Sequence, residues 1–404
     1  MSWCHRKSAE ENKAECEGKP DVSIIIAVYN IEAFIERCIR SVLGQTLDNI
    51  EIIVIDDGSN DHSGEICDCL AQTDERMKVI HTSNGGLASA RRRGVKMACG
   101  KWVGFVDGDD WIESPMYELL YKKAVELDAD MVVHGYVEEA GSESTYCRNN
   151  VKCGIYCDEE DRERLLCNMI CCNDFFCMGI QPYAWNKLFK RDLLWSHLQD
   201  MDPEIRVGED AAIVFPMLMK ARRIAVTSDC CYHYCLRGDS MMYTEGEEQR
   251  EYENAMRLHG FLKRSFVRYG PYEAVGKSLN RYTVHNLLTR AMGHIVREID
   301  IPSGKEIILY GAGAFGKSLY RYLGHKDVHH IHLWVDKKAQ QLTRMGFPVS
   351  SPDEIEAGEN GLVLIALLNV DAVAEVRRGL ERRGFQKEQI VWAMDVLQLT
   401  ELEL

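Results

Sequence analysis

Long apolar runs are what this 404-residue sequence lacks. Stretches such as Ile52–Ile55 and Leu362–Leu368 are strand-sized, far short of the ~20 residues that a membrane-spanning helix needs. The N-terminus is polar and charged through Pro20, without the apolar core of a signal peptide, so the expected location is cytoplasmic. Positive charge is scarce as well. The net charge is -15, and with no basic face on offer a nucleic-acid partner is excluded. The same balance removes simple attraction to anionic lipid, while a local basic patch keeps peripheral contact with the inner membrane face open. Paired C-x-x-C spacing is missing, although the chain has 16 cysteines. Cys167, Cys171, Cys172 and Cys177 cluster, as do Cys230, Cys231, His233 and Cys235, but neither group has the spacing of a zinc site. In a cytosolic protein they read as reduced thiols packing as small hydrophobes. No internal repeat or low-complexity tract is present.

What the chain does have is a globular balance, 46% hydrophobic and 27% charged, and length for two or three domains. Its most informative segment is Asp107-Gly108-Asp109-Asp110, ending the apolar run Trp102-Val103-Gly104-Phe105-Val106. Carboxylates crowded at the end of a buried strand repel one another and are costly to leave unpaired. A divalent cation resolves that conflict, and hard oxygen ligands in a short acidic turn suit Mg²⁺ or Mn²⁺. A solvated acidic turn is the alternative for any isolated D-x-D.

The order of elements decides between the two. Val22–Val28 reads as a buried strand, with Asn30 as the cap of a helix whose stripe is Ile31, Phe34, Ile35, Cys38, Ile39, Val42 and Leu43. Glu51–Ile55 is a second strand stopped by Asp56-Asp57-Gly58-Ser59. A helical stretch around Ile66–Leu70, a strand at Met77–His81 and a helix from Leu87 to Ala98 follow. Trp102–Val106 then delivers the acidic turn, and Ser114-Pro115 starts a helix with a cap and a proline at its first position. Strands alternating with helices predict an α/β domain with a mostly parallel sheet. Ligands bind outside the C-terminal strand ends of such sheets. Tyr29-Asn30, Asp56-Asp57 and Asp107–Asp110 all sit at such ends and are expected to converge on one crevice.

With those residues placed, residues 21 to 240 resemble a family 2 glycosyltransferase of the GT-A fold. The resemblance runs in order through Val22–Asn30, Ser41–Thr46, Ile53–Ser59, Asn84-Gly85-Gly86-Leu87 with Ala90-Arg91, Phe105–Asp110 and Gly208-Glu209-Asp210. It implies inverting transfer of a sugar from a nucleotide-diphosphate donor to a hydroxyl of a glycan or lipid-linked acceptor in cell-surface polysaccharide assembly. Under it Asp57 meets the nucleotide base, and Ala27, Tyr29 and Glu32 line that pocket. Asp107 and Asp109 meet the donor, Asp109 and Asp110 hold Mn²⁺ or Mg²⁺, and Asp210 is the general base. Arg91 joins the donor site, and Arg237 and Ser240 close over the diphosphate. Trp185 is a candidate sugar platform or a core aromatic. Arg92 and Arg93 read as a solvated helix face. Gly208-Glu209-Asp210 also suits a helix N-terminus, where the dipole favours acidic residues.

From Glu245 to Ile299 the pattern is helical. Pro302-Ser303-Gly304 reads as a linker, and Glu306–Tyr310 as a strand leading into Gly311-Ala312-Gly313-Ala314-Phe315-Gly316, a dinucleotide-type fingerprint. Asp336 ends the next strand about twenty residues on, where a ribose-binding carboxylate would stand. Gly311, Gly313, Gly316 and Asp336 are therefore candidates for a nucleotide or nucleotide sugar. A packing or homodimerisation role for those glycines is the alternative. The expected architecture is a polar extension (1–20), a GT-A transferase domain (21–244), a helical connector (245–301) and a small Rossmann-like domain (302–404). Two rivals stand beside the transferase reading: an NAD-dependent oxidoreductase or epimerase centred on the C-terminal glycines, and a non-catalytic nucleotide-sugar-binding protein.

Overall fold

The computed structural model describes residues 18–141, 143–172, 177–236, 248–302, 304–325, 330–358, 361–402 and 404. Its contacts divide the chain into two units. One holds the chain up to Leu165 with Gln181–Arg237 and Arg268–Gly270, and the other Leu166–Ile180, Gly238–Val267 and Pro271–Leu404.

In the first unit, β-branched runs such as Ile24-Ile25-Ile26 and Ile52–Ile55 suit strands covered on both faces. They lie in β1 (Val22–Val28) and β2 (Ile50–Asp56), and every residue of β2 is buried. Strands β3 (Met77–His81) and β4 (Trp102–Asp107) follow. Next in the chain are β5 (Trp111–Ile112), β6 (Met131–Val133), β7 (Tyr136–Ala140) and β8 (Glu143–Cys147). Then come β9 (Gly154–Tyr156), β10 (Lys187–Lys190), β11 (Ile224–Val226) and β12 (Tyr232–Cys235). Eight strands form one sheet in the order β3-β2-β1-β4-β10-β6-β11-β9, and β5-β12-β7-β8 form a second. Pairing is parallel across β1 to β4, as the alternating pattern predicts, whereas β10 runs antiparallel to both β4 and β6. Strand order reverses between β1 and β4, the position where α/β sheets open a ligand crevice. Register makes the edge level, with Val28 opposite Asp56 and Ala27 opposite Asp107.

Two helix starts differ from expectation. The helix after β1 begins at Ile35, so Asn30 does not cap it. Instead Asn30 takes φ 50°, its N–H donates to Ser59 Oγ (3.1 Å), and its Oδ1 accepts from Asn60 N–H (2.7 Å). An amide side chain in this left-handed backbone serves a turn better than a helix. The later helix, Met116–Glu126, has Pro115 at its cap position and no side-chain cap.

In the second unit, helices Tyr272–Arg290 and Met292–Ile295 give way to β13 (Val296–Ile299), which ends the predicted helical pattern early. Strands β14 (Glu306–Tyr310), β15 (Ile331–Val335), β16 (Gly361–Ile365) and β17 (Ile390–Trp392) make an all-parallel sheet in the order β15-β14-β16-β17. The last strand, β18 (Leu397–Leu399), pairs antiparallel with β13. Leu287, Leu288, Met292 and Ile295 share one core with Leu309, Phe315, Leu319 and Leu364. Residues expected as a connector separate from 302–404 thus pack into the same apolar interior. Among the described residues no helix is long and apolar enough to cross a membrane.

Candidate active site

The loops after β1 and β2 clasp each other. Ile31 N–H donates to Ser63 Oγ (2.9 Å), Glu32 N–H to Asp61 Oδ2 (3.0 Å), and Glu32 Oε2 accepts from His62 N–H (2.9 Å). Glu32 therefore helps to build the rim. Ala27 is half-buried at the end of β1, and Tyr29 is 47% exposed beside it, an open ring at the strand edge. Asp57 is only 3% exposed. Its carboxylate accepts from Gly85 N–H (3.0 Å) and Gly86 N–H (2.7 Å), tying the glycine loop to the end of β2. Asp56 turns to His81 (2.8 Å) and Ser59 N–H (3.0 Å) instead.

The three aspartates of the acidic turn have separate environments. Asp107 Oδ1 is held by Arg91 Nη2 (2.8 Å). Asp109 is half-buried, and its backbone oxygen accepts from Arg37 Nη2 (2.9 Å). Asp110 is 1% exposed, with Oδ2 accepting from the Tyr232 hydroxyl (2.7 Å) and Oδ1 from Cys235 N–H (2.8 Å). The Tyr232 oxygen in turn accepts from Asp107 N–H (3.1 Å). Burial, then the charges of Asp109 and Asp107, pushes the Asp110 carboxyl well above the usual carboxylate range. Asp110, expected as a metal ligand with Asp109, is thus the most deeply buried carboxylate of the turn. Each of its oxygens accepts a bond from β12, whereas Asp107 and Asp109 are only partly buried. Among the described residues no group of three or more His, Cys, Asp or Glu side chains forms a cation cage. A set of one or two carboxylates fits Mg²⁺, which completes its shell with water and substrate phosphates.

Arg91 sits at the centre of the charge pattern and is 1% exposed. Besides Asp107 it binds Asp210 Oδ1 through Nη1 (2.5 Å), and Glu209 lies 3.8 Å from the same nitrogen. Its guanidinium also lies 5.5 Å from the Phe105 ring centroid. Burial opposes its charge, yet Asp210, Asp107 and Glu209 together hold it above the usual arginine range. Arg91, expected in the donor site, is a buried tie between a strand end and a helix start. Arg92 beside it is exposed.

Helix Glu209–Lys220 starts at this point because Gly208 takes φ 78°, a left-handed turn that side chains other than glycine rarely adopt. Residues 211–219 are buried, so Asp210 enters the site from an apolar wall. Asp210 Oδ1 also accepts from Ala184 N–H (3.2 Å). Both bonds fall on Oδ1, and among the described residues no donor sits on Oδ2. Burial raises the Asp210 carboxyl above its ordinary pKa against the pull of Arg91. Burial, then the charge of Asp210, lifts Glu209 to about 7.

Trp185 is a core aromatic. It stacks on Tyr232 (centroids 4.1 Å) and Tyr183 (4.8 Å), and is 2% exposed, out of reach of a sugar ring. His233 contacts Glu139 (2.6 Å) and Glu113 (3.1 Å) and stacks on Trp111, so the nearby cysteine cluster has no metal-like arrangement. Every described cysteine is a thiol. Arg237 and Ser240 lie outside the described residues. Sequence reasoning missed Tyr232 as the lid on Asp110, Arg37 beneath Asp109, and Glu209 as a neighbour of Arg91. The alternation Tyr232-His233-Tyr234-Cys235 was a signal for the first; nothing local marked Arg37.

In the second unit, Gly311 takes φ 112°, and a side chain there would meet the Ala366 carbonyl at 2.8 Å; one at Gly316 would collide with the Gly311 carbonyl. These two glycines permit close backbone approach. Around Gly313 there is open space. Asp336 Oδ2 accepts from Ala312 N–H (2.7 Å) and Oδ1 from Lys338 N–H (2.7 Å), so its carboxylate already serves its own loop.

Residues 23–187 match the family described as Glycosyl transferase family 2. An uncharacterized glycosyltransferase of Bacillus subtilis, EpsJ, is 36% identical over 215 residues, covering 53% of this chain and 61% of that protein. Under two thirds of that relative's own length is therefore spanned. The glycosyltransferase GlyG of Streptococcus pneumoniae is 33% identical over 229 residues, covering 55% of this chain and 73% of GlyG. Among solved structures, residues 1–349 of S. aureus TarS, crystallised with UDP-GlcNAc, superpose with a TM-score of 0.51 at 21% identity over 67% of this chain and 75% of that one. That likeness concerns the fold, which is of the GT-A type.

Proposed function

We propose that this chain, which belongs to glycosyltransferase family 2, transfers a sugar from a nucleotide-diphosphate donor to an acceptor hydroxyl with inversion at the anomeric carbon. The observation that carries the reading is the Arg91 cluster. It joins a carboxylate of the acidic turn, Asp107, to a carboxylate with one open oxygen, Asp210, through one buried guanidinium.

An acceptor hydroxyl is too weakly acidic to attack unaided near neutral pH, so a positioned base must take its proton. Asp210 suits that task. Arg91 and Ala184 orient Oδ1, which leaves Oδ2 toward the acceptor, and burial makes the carboxylate more basic. The acceptor oxygen bonds to the anomeric carbon as the bond to the diphosphate oxygen breaks, and the hydroxyl proton passes to Asp210. Asp109, with Asp107 beside it, would hold a Mn²⁺ or Mg²⁺, which when bound would supply Lewis-acid neutralisation of the departing diphosphate. Asp57, Tyr29 and Ala27 form the wall for the nucleotide base. A carboxylate offers about four acceptor positions, so Asp57 can take a base N–H while holding the glycine loop. Glu209, lifted to about 7, spares the cluster part of a further negative charge at neutral pH. Family resemblance supports an acceptor in cell-surface polysaccharide assembly, met at the inner face of the membrane. The second unit is an accessory module in this reading, with no assigned chemistry.

Thermal-shift screening of UDP- and GDP-sugars, with Mn²⁺ or with chelator, tests the proposal, followed by detection of released nucleoside diphosphate. A donor at a hundred times its Kd stabilises by about 2.7 kcal/mol. Stabilisation by NAD(H) alone would transfer the reading to the oxidoreductase rival. Donor binding without turnover on any acceptor would favour a non-catalytic binder.

A further inference from the structure

Lys187 opens β10 and has no solvent exposure. Taking an ammonium out of water costs several kcal/mol unless its protons are matched, and an apolar residue of similar length would fill the same volume without that cost. The matching is complete. Lys187 Nζ donates to the carbonyls of Gln181 (2.8 Å) and Tyr183 (2.5 Å) and to Asn186 Oδ1 (2.6 Å), three acceptors for three donors. All three belong to the six residues just before it, so the chain is curled around its own amine. The curl is pinned at both ends: Gln181 N–H donates to Asn149 Oδ1 (3.0 Å), and Asn186 Nδ2 to the His134 carbonyl (2.6 Å). In its middle stands Ala184, whose N–H reaches Asp210 Oδ1 (3.2 Å). Next to it Trp185 is locked between Tyr183 and Tyr232.

We propose that Lys187 is a positioning residue for transfer: by gathering the carbonyls of the 181–186 turn it fixes the Ala184 N–H that orients Asp210. The proposal deepens the assignment of Asp210 as the base and rests on it for its kinetic consequence, but not for its structural one. Burial lowers the Lys187 pKa to about 7 against the attraction of Asp210, so the amine and the carboxylate interact. A hydrogen bond to a charged group is directional and contributes more than one between neutral groups. Losing the Ala184 bond frees Asp210 to swing wholly onto Arg91, which takes the open oxygen away from the acceptor.

The test uses the full-length protein as Lys187→Met, as Ala184→Pro and as the double variant. Hydrogen–deuterium exchange of the 181–186 segment reads the turn directly, UDP with Mn²⁺ probes the donor side, and kcat is measured with the donor sugar the screen identifies. Expected are a tenfold or greater rise in Ala184 amide exchange in Lys187→Met, a UDP–Mn²⁺ Kd within threefold of wild type, and kcat down about 100-fold with the donor KM little changed. Ala184→Pro should show the same kcat loss, and the double variant should be no worse than the poorer single one, because both act on one bond. Unchanged exchange, additive losses, or a donor affinity falling in step with kcat would overturn the proposal. If Lys187→Met does not fold, Ala184→Pro decides, since it removes the amide N–H and keeps the Lys187 amine; wild-type kcat there overturns the proposal. A wild-type protein that transfers no sugar defeats the transferase reading, while the exchange arm still judges the turn.

Discussion

Each unit of this chain has a carboxylate just past a parallel strand that ties down a glycine loop. Asp57 follows β2 and holds Gly85 and Gly86; Asp336 follows β15 and holds Ala312. The surroundings diverge from there. Near the end of β4 and the start of helix Glu209–Lys220, burial holds Asp110, Glu209 and Asp210 above their ordinary pKa, with Arg91 as the counter-charge of Glu209 and Asp210. The loop at Gly311 closes on backbone instead, with glycines where any side chain would strike a carbonyl. A strand-end carboxylate on a glycine loop is thus a general way to close a βα turn. Chemical character comes from charge that the fold gathers and leaves strained, which is where perturbed acids cluster in active sites.

The comparison breaks most sharply at Asp210. Asp210→Asn should keep nucleotide-sugar binding and lower transfer by about 10²–10⁴-fold, the contribution of a general base; near-normal turnover rejects the assignment. Arg91→Met comes next. Removing one partner of a buried ion cluster costs about 3–5 kcal/mol because the remaining charge is uncompensated, so a large drop in denaturation midpoint is expected. A change under about 1 kcal/mol would mean that solvent already reaches the cluster. Smaller, and specific in direction, is the effect of pH on Glu209. Its folded pKa is raised from the ordinary 4.5 to about 7, so between those values the native state binds more protons than the unfolded one. Stability from this group is present at low pH and falls as pH rises through that window. Glu209→Gln should flatten the slope, as urea titrations at several pH values will show.

Much of the first unit was legible because its signals are local. Apolar runs set β1, β2 and β4, and polar clusters stop them, so convergence of Tyr29, Asp57 and Asp107 on one edge needed only the parallel-sheet rule. The level register of Ala27, Val28, Asp56 and Asp107 agrees with it. What escaped depends on residues far apart in the chain. The acidic turn alone does not show that Tyr232 and Cys235, on the second sheet, cover Asp110. Nothing in Arg91-Arg92-Arg93 says which arginine faces Asp210. Val296–Ile299 kept a helical look because its partner strand, Leu397–Leu399, lies about a hundred residues later. Trp185 carries no mark in the sequence to separate a sugar platform from a stacked core ring.

The mildest prediction sets the two clasps against each other. Asp57→Ala removes a nearly covered acceptor from the N–H groups of Gly85 and Gly86, and both of those bonds are partly buried. Hydrogen bonds to a charged group contribute about 1.5–3 kcal/mol, so a loss toward the upper end is expected, together with weaker donor binding. Asp336→Ala also orphans two N–H groups, but Lys338 N–H lies at an exposed position where water can replace the carboxylate. About 1 kcal/mol or less of stability should be lost there. Denaturant midpoints of the two variants decide it. Equal losses would mean that the Asp336 loop is as desolvated as the Asp57 loop, and that the second unit encloses its glycine turn more tightly than its half-open geometry at Gly313 implies.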